Sequence, residues 1–361
     1  MKDKRVLFYN TISQGHTRWI YDVGHNAIVS LDDTYHKCND FETSFFNKNV
    51  LYGKIYAYKD KIIGVPNFAE QILIYKGRDK VSYIDLPDEL KRFKVKYGYF
   101  WNAELESNIL YIIGYCIPFI VVVDLEKEDI ISVIDLSAYY LEERIQYYSE
   151  STIYNNYIII PEFEDNAVII FDKISLQSKR IIIKNTGKGF SALVKDNQYI
   201  WLFPSHAGEI VKWNFDTNEV MLYEKYPKKV NLKQNDLSFG HAIDIGNEIL
   251  VFPYNLKTVV SISKRNGKMK SLISFEKCFN NENFGIAYVE KNDDIVTCIS
   301  YSKEVIQYDI KEDEIVKYCL EVSLKDYEKY LLKMLKKGYI VINEKEVSLQ
   351  RYLENILLEK L

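Results

Sequence analysis

The sequence predicts an all-β protein, a β-propeller with seven blades of four antiparallel strands and a C-terminal helical extension. Three observations lead to this fold class. A phrase that begins with an aromatic residue returns at intervals of 43 to 49 residues, which is the period of one propeller blade. Each phrase contains short runs of alternating apolar and polar residues bounded by turn signals. The 30 tyrosines and 18 phenylalanines among 361 residues favour half-buried, pleated surfaces.

Three columns of residues keep the repeat in register. The first column opens each unit and consists of Tyr52, Phe100, Tyr147, Phe190, Phe239 and Phe284. The second column consists of Pro66, Gly114, Pro161, Pro204, Pro253 and Ile299, and the third of Tyr75, Val123, Phe171, Trp213, Ile262 and Tyr308. In the unit from Tyr52 the alternation predicts strands at 53–58, 61–65, 71–75 and 81–86. The other five units fit the same template, which gives six complete blades.

The amino-terminal stretch predicts a seventh blade that closes the ring. Ile12 and Tyr21 stand nine residues apart, as the second and third columns do. We therefore interpret 5–10, 17–21 and 27–31 as the second, third and fourth strands of this blade. Its first strand is assigned to 338–343, GYIVIN, because closure removes an unpaired sheet edge. The propeller domain is expected to span residues 1–323.

The remaining residues, 324–361, predict a C-terminal helical extension. Ser323 is suited to cap a helix over 324–337. A second helix over 349–361 would carry an apolar stripe of Leu349, Leu353, Ile356, Leu357 and Leu361. This stripe needs a partner surface, either the side of the propeller or another chain.

Charge and cysteine content exclude several functional classes. The formal net charge is -4 and no long basic block occurs, so we expect no binding to nucleic acid. The first apolar run ends at Asn10, too early for a signal-peptide core or a membrane span, so we expect a cytoplasmic protein with no membrane partner. The five cysteines are an odd number without a CxxC motif, which favours a reducing compartment and neither a disulfide framework nor a zinc site.

The blade phrases resemble those of known bacterial propellers. Examples are DNQYIWLFPSHAGEIVKWNFDTNEV and GNEILVFPYNLKTVVSISKRNGKMK, which are similar to the YVTN, Kelch-like and virginiamycin B lyase-like families. The resemblance implies the propeller fold over most of the chain. It leaves the activity open, because these families include binding proteins, scaffolds and a few lyases.

The ligand site is expected on the face where loops enter the first strands and join second to third strands. Aromatic rings with scattered amides suit a peptide or sugar-like ligand. The predicted ligand-binding residues are Trp101, Asn102, Tyr115, Tyr148, His206, His241, Tyr254, Asn255 and Tyr301. The first-strand column on this face shows no concentrated set of ionisable groups; it consists of Lys54, Asn102, Ser149, Ala192, His241 and Ile286. We therefore expect a non-catalytic propeller without a cofactor, which binds a peptide or protein partner as an accessory to a modifying enzyme.

An enzymatic alternative stays open. His206 and His241 belong to neighbouring units on the same face, and with Glu162 they could hold a divalent metal or act as general base and acid. The virginiamycin B lyase resemblance implies a metal-assisted lyase or hydrolase of this kind. The sequence contains no GxGxxG, P-loop or GxSxG motif, so familiar nucleotide-binding and serine-hydrolase sites lack support.

Overall fold

The computed structural model describes residues 6–14, 17–23, 26–31, 50–77, 80–184, 187–228, 230, 237–254, 258–276 and 285–320, together with the backbone of 37–42. Within these ranges the chain forms 28 strands in seven antiparallel sheets of four. In each sheet, strands that follow one another in the chain are neighbours. This is the seven-bladed, four-stranded propeller that the repeat predicts.

The blades are numbered in chain order. Blades 1 to 3 contain β1 Thr11–Gln14, β2 Thr17–Asp22, β3 Ala27–Leu31, β4 Lys37–Glu42, β5 Tyr52–Tyr58, β6 Lys61–Pro66, β7 Gln71–Tyr75, β8 Val81–Asp85, β9 Phe100–Glu106, β10 Ile109–Gly114, β11 Phe119–Asp124 and β12 Asp129–Asp135. Blades 4 and 5 contain β13 Thr152–Tyr154, β14 Tyr157–Pro161, β15 Ala167–Asp172, β16 Ser178–Ile182, β17 Phe190–Asp196, β18 Tyr199–Pro204, β19 Ile210–Asn214 and β20 Val220–Tyr223. Blades 6 and 7 contain β21 Phe239–Asp244, β22 Glu248–Pro253, β23 Val260–Ser263, β24 Met269–Ser271, β25 Ile286–Asn292, β26 Ile295–Ser300, β27 Glu304–Asp309 and β28 Glu314–Cys319.

Helical structure is confined to three short connections in the described residues. They are α1 Asp88–Lys91, α2 Ile273–Glu276 and a 3₁₀ turn at Ser137–Tyr139. None of the helices in these ranges is long and apolar enough to cross a bilayer. The C-terminal helical extension predicted for 324–361 lies outside the described residues.

Tight hairpins join the first and second strands of the blades. In blade 2, Tyr58 pairs with Lys61, which leaves two turn residues, and Lys59 has a φ of 53°. Hairpin turns of the primed types require such a positive φ at their first central residue. The equivalent positive-φ residues in four other blades are Ser107, Asn155, Asn197 and Asp293.

Seven clusters of buried apolar side chains fill the interfaces between neighbouring blades. The second and third strands supply most of them; β11, for example, is buried along its whole length. The fourth strands lie on the outside and are partly exposed, as β12 is. Burial on both faces explains why second and third strands read as continuous apolar runs.

The ring closes between blade 7 and blade 1. Phe8, Ile20 and Val29 pack against Ile299 and Val305 in one cluster. The amide of Val6 donates to the carbonyl of Leu320 at 2.9 Å. Side-chain packing and this hydrogen bond therefore hold the described ends of the chain together.

The strand assignment predicted for the closing blade is wrong by one strand. Thr11–Gln14 supplies the first strand, while 17–22 and 27–31 are the second and third. The register Gln14 to Thr17 leaves a two-residue connection, like the first hairpin of blade 2. The nine-residue spacing of Ile12 and Tyr21 spans this first hairpin rather than the second. The segment 338–343, to which we had assigned the first strand, lies outside the described residues.

An extra residue interrupts the start of the first strand in several blades. The pairing of first with second strand shifts at Trp101, at Ser191 and at Gly240. In blade 4 the same region is longer: Tyr148 forms an isolated bridge with Glu162, and regular pairing resumes at Thr152. Such bulges re-aim side chains next to functional sites. In this protein the extra residues Trp101, Ser191 and Gly240 lie at the centre of one propeller face.

Candidate functional site

A cavity of about 100 Å³ lies on this face where the first strands begin. Its lining consists of Trp101, Tyr115, Gln146, Ser149, Glu150, Phe163, Ser191, Leu237, Phe239, Gly240, His241, Tyr254 and Tyr301. Five of the predicted ligand-binding residues are among them: Trp101, Tyr115, His241, Tyr254 and Tyr301. Blades 3 to 7 or the loops before them contribute to this lining.

Aromatic side chains form the wall of the cavity and the surface next to it. We call Tyr9, Trp101, Tyr115, Tyr254 and Tyr301 the aromatic cup. Ring centroids lie 4.4 Å apart for Tyr9 and Trp101 and 5.7 Å apart for Trp101 and Tyr115. Those of Tyr254 and Tyr301 are 5.9 Å apart. These separations are typical of favourable tilted or edge-to-face pairs.

Three phenols of the cup, those of Tyr9, Tyr115 and Tyr301, are uncharged at neutral pH. Burial and the neighbouring Tyr254 raise the pKa of Tyr9 to about 12. Burial likewise raises the pKa of Tyr115 and of Tyr301 above the usual tyrosine value. The cup therefore offers neutral ring faces together with hydroxyl groups that can donate or accept hydrogen bonds.

Glycines in the first-strand entries leave space for the cup. A Cβ added at Gly285 would lie 2.4 Å from Cδ2 of Tyr301. At Gly240 the added Cβ would lie 3.4 Å from Cδ2 of Tyr254, which is ordinary contact. The ring of Tyr301 thus depends on a glycine at position 285, while that of Tyr254 tolerates a small side chain at 240.

The floor of the cavity contains a carboxylate and an imidazole. Glu150 Oε1 lies 3.3 Å from His241 Nδ1 and 3.9 Å from Lys54 Nζ. Burial opposes ionisation of Glu150, but the Lys54 ammonium and the His241 contact outweigh it and hold the pKa of Glu150 below its ordinary value. Glu150 is therefore an anion at neutral pH.

A belt of side-chain hydrogen bonds connects the inner strands beneath the cavity. Lys54 Nζ donates to Asn102 Oδ1 at 3.1 Å, and Asn102 Nδ2 donates to Ser151 Oγ at 2.7 Å. Ser151 Oγ in turn donates to Glu104 Oε1 at 2.6 Å. Burial raises the pKa of Glu104 to about 7, against the opposing effect of the Ser151 hydrogen bond. The belt thus holds a carboxyl group that titrates near neutral pH.

Serine residues extend this belt to blades 5 and 6. Ser149 Oγ donates to the carbonyl of Ser191, and Ser191 Oγ donates to the carbonyl of Phe239, both at 2.6 Å. Each bond crosses from one blade to the next. The cavity floor is therefore fixed by contacts between blades as well as within them.

Of the other predicted ligand-binding residues, Asn102, Tyr148 and His206 do not line the cavity. Asn102 is buried in the belt, and Tyr148 is buried with its hydroxyl 2.7 Å from that of Tyr140. His206 pairs its Nδ1 with Ser205 Oγ at 2.9 Å. Burial, with a smaller effect of Lys188, lowers the pKa of His206. Asn255 lies outside the described residues.

Glu162 is fully buried and paired with two arginines. Its carboxylate accepts from Arg144 Nη1 at 3.0 Å and from Arg180 Nε at 2.6 Å. Both arginines also contact Asp165. This arrangement pairs the carboxylate with two arginines, and its action together with His206 and His241 stays a prediction. Among the described residues, no three histidine, cysteine, aspartate or glutamate side chains form a group that could hold a metal ion.

Sequence reasoning missed Glu150, Gln146, Ser191 and Glu104 as site residues. Glu150 lies between Tyr148 and Thr152, where the entry to the first strand of blade 4 is irregular, so the repeat does not indicate which of these side chains face the cavity. The signal for this irregularity is the stretch between Tyr148 and Thr152. Tyr147 opens the unit, but a regular strand does not begin directly after it. The expectation that this face has no concentrated set of ionisable groups is corrected by Glu150, which lies beside Lys54 and His241.

Comparisons with known proteins bear on the fold. No protein-family model and no curated protein matches the sequence. Virginiamycin B lyase from Staphylococcus aureus has a similar structure, with a TM-score of 0.63 and 11% identity over 89% of this chain and 97% of that one. A catalytically inactive variant of that lyase with quinupristin gives a TM-score of 0.62 and 12% identity, over 88% and 96% of the two chains. The computationally designed protein Ika8 gives 0.61 and 11%, over 88% and 87%. At these identities the likeness shows a shared propeller fold.

Proposed function

We propose that this protein is a binding propeller that takes a side chain of a peptide or protein partner into the aromatic cup. The observation that carries this proposal is the small aromatic-walled cavity. Sites for whole small molecules usually enclose about 300 Å³ or more, whereas this cavity encloses about 100 Å³. It therefore fits one side chain or head group, with the rest of the ligand lying on the propeller face.

The surface next to the cavity supports a peptide-sized ligand. The connection between blades 3 and 4 provides Gln146 to the lining, and in the same connection Leu141 and Ile145 are exposed. Exposed apolar side chains beside a pocket are typical of binding surfaces. In this proposal the partner is the substrate of a modifying enzyme, and the propeller acts as that enzyme's accessory in the cytoplasm.

A displayed peptide library tests the proposal directly. Selected peptides should bind the wild-type protein and lose at least about tenfold in affinity with Tyr254→Ala or Tyr301→Ala, since aromatic anchors carry most binding energy. Tyr83→Ala, on the outer strand β8, is the matched control and should bind as the wild type does. Selected peptides that bind all of these variants equally would contradict the proposal.

The second candidate function is a lyase or hydrolase. The contact between His241 and Glu150 favours it, because a carboxylate beside an imidazole is a common general-base arrangement. In this candidate function, His241 and Glu150 would act as a general base, either alone or together with a bound divalent metal. The structural similarity to virginiamycin B lyase supplies a substrate to try.

Liquid chromatography of quinupristin incubated with the protein and divalent metal salts tests this candidate. Loss of the intact compound with wild type, and not with His241→Ala, would support it. Intact quinupristin throughout, together with substoichiometric metal in protein purified without a histidine tag, would count against it.

A further inference from the structure

We propose that the aromatic cup binds an organic cation, an alkylammonium or guanidinium group, with the Glu150 carboxylate as its counter-charge. This inference rests on the proposed binding function and names the chemistry of the group bound. A lysine or arginine side chain of a peptide and a free amine share this chemistry.

The charge of the cavity lining favours a cation. Glu150 is the one carboxylate among the described lining residues, and neither lysine nor arginine is among them. Lys54, at 3.9 Å, lies outside the lining and already donates to Asn102. His241 is in contact with the same carboxylate. A group that enters the cavity can therefore contact the Glu150 carboxylate directly, whereas the Lys54 ammonium does not line the cavity.

The ring faces favour the same ligand. Cations bind over the faces of tryptophan and tyrosine, with the strongest attraction where the site is desolvated. Trp101, Tyr115, Tyr254 and Tyr301 all line the cavity. A neutral apolar ligand would use the rings alone, whereas a cation would use the rings and would also be attracted by the Glu150 carboxylate in the lining.

The surroundings of the cavity carry the complementary charge. Glu142 and Glu143 are exposed in the connection that provides Gln146, and Glu164 is exposed next to Phe163. These carboxylates lie on two of the loops that contribute to the cavity lining. They would attract a basic segment towards the cup through long-range electrostatics.

Isothermal titration calorimetry with small model ligands tests the inference. N-acetyl-lysine methylamide is compared with its norleucine analogue, which keeps the alkyl chain and lacks the charge. The lysine compound should bind at least about tenfold more tightly. Butylammonium distinguishes a free amine from a peptide side chain as the natural ligand. If butylammonium binds as tightly as the lysine compound, the ligand is a free amine. If it binds much more weakly, the ligand is a peptide.

Glu150→Gln should abolish the preference for the lysine compound over the norleucine analogue. Glu290→Gln is the matched control, because Glu290 is a first-strand glutamate of blade 7 that pairs with Arg18 and lies outside the cavity lining. The melting temperature of each variant establishes that it is folded. Tyr301→Leu, which keeps Glu150, should weaken the lysine compound and supplies a second readout if Glu150→Gln does not fold.

In the calorimetric experiment, three outcomes would overturn the inference: equal affinity for the two model ligands, no detectable binding of either, or an unchanged preference in Glu150→Gln. The proposed function fails separately, when library peptides bind independently of the cup. Library peptides that depend on Tyr254 but contain no basic residue would leave that function standing and reject the cation.

Discussion

Glu150 of blade 4 reaches His241 of blade 6, with 3.3 Å between Oε1 and Nδ1, although blade 5 lies between them in the ring. The same carboxylate lies 3.9 Å from Lys54 of blade 2. One side chain thus links three alternate blades at the centre of the propeller. Its position makes Glu150 important for the shape of the cavity floor as well as for its charge.

Glu150 should stabilise the fold at neutral pH and lose this effect in acid. Because its pKa is held below the ordinary value, the unfolded chain binds the proton more tightly than the folded protein does. The stabilisation is therefore present above the ordinary glutamate pKa of 4.5 and disappears as the pH falls through the lower folded-state pKa. Urea unfolding of wild type and Glu150→Gln should show a difference in the free energy of unfolding at pH 7 that narrows towards pH 3. A constant difference would contradict this account.

Glu104 should have the opposite pH dependence. Its pKa is raised from 4.5 to about 7, so the folded protein binds the proton more tightly than the unfolded chain. The contribution of this group is present below about pH 4.5 and is lost as the pH rises to about 7, by on the order of 3 kcal/mol. Glu104→Gln should remove this decline in urea-unfolding free energy. Glu106→Gln, an exposed position on the same strand, should retain it; an identical decline in Glu104→Gln would show that another group is responsible.

Gly285→Ala should disturb the cup, whereas Gly240→Ala should not. The added methyl at 285 would overlap the Tyr301 ring, while that at 240 meets Tyr254 at a normal distance. Overpacking costs about 1–3 kcal/mol, so thermal unfolding should begin at a lower temperature in Gly285→Ala. The library peptides should also bind it less tightly. Equal melting temperatures and affinities for the two alanine variants would mean that Tyr301 moves aside freely.

Arg180→Met should destabilise the fold without affecting the cavity. It leaves the buried Glu162 with Arg144 alone, and loss of one partner of a buried ion pair costs about 3–5 kcal/mol. Lys59→Met, which breaks an exposed pair with Glu126, should change the free energy of unfolding much less. Urea unfolding measures both. Arg180→Met should bind library peptides as the wild type does at temperatures where it is folded, and a selective loss of binding would place this ion-pair cluster in the site.

The fold could be predicted from sequence because its signals are periodic. Burial of both faces of the second and third strands produces apolar runs, and strand ends fall at constant intervals in six units. Blade 1 was misassigned because alternation identifies a strand but not its place in the sheet. The nine-residue separation of Ile12 and Tyr21 fits either hairpin, whereas the two-residue connection after Gln14 would have identified the first.

The cavity could be predicted only in part. Trp101, Tyr115, Tyr254 and Tyr301 were found because aromatic residues at strand ends recur in register. Glu150 was missed because it lies in the irregular entry to the first strand of blade 4. In that stretch the period-two alternation does not indicate which side chains face the cavity. Glu162 was placed with the histidines because sequence shows its position on the face but not the two arginines that bind it, one of them from the fourth strand β16.

Because Val6 and Leu320 are adjacent, the order of the blades along the chain could start at a different blade without changing how the blades pack in the ring. The two described ends are joined by a hydrogen bond, and each described sheet is formed by one stretch of sequence. Within the described residues, therefore, no sheet combines strands from the two ends. A gene could be rewritten to begin in any connection between blades, with a short linker from Leu320 to Val6, and still encode the same seven sheets. The cup, assembled from distant stretches of chain, would survive such circular permutation.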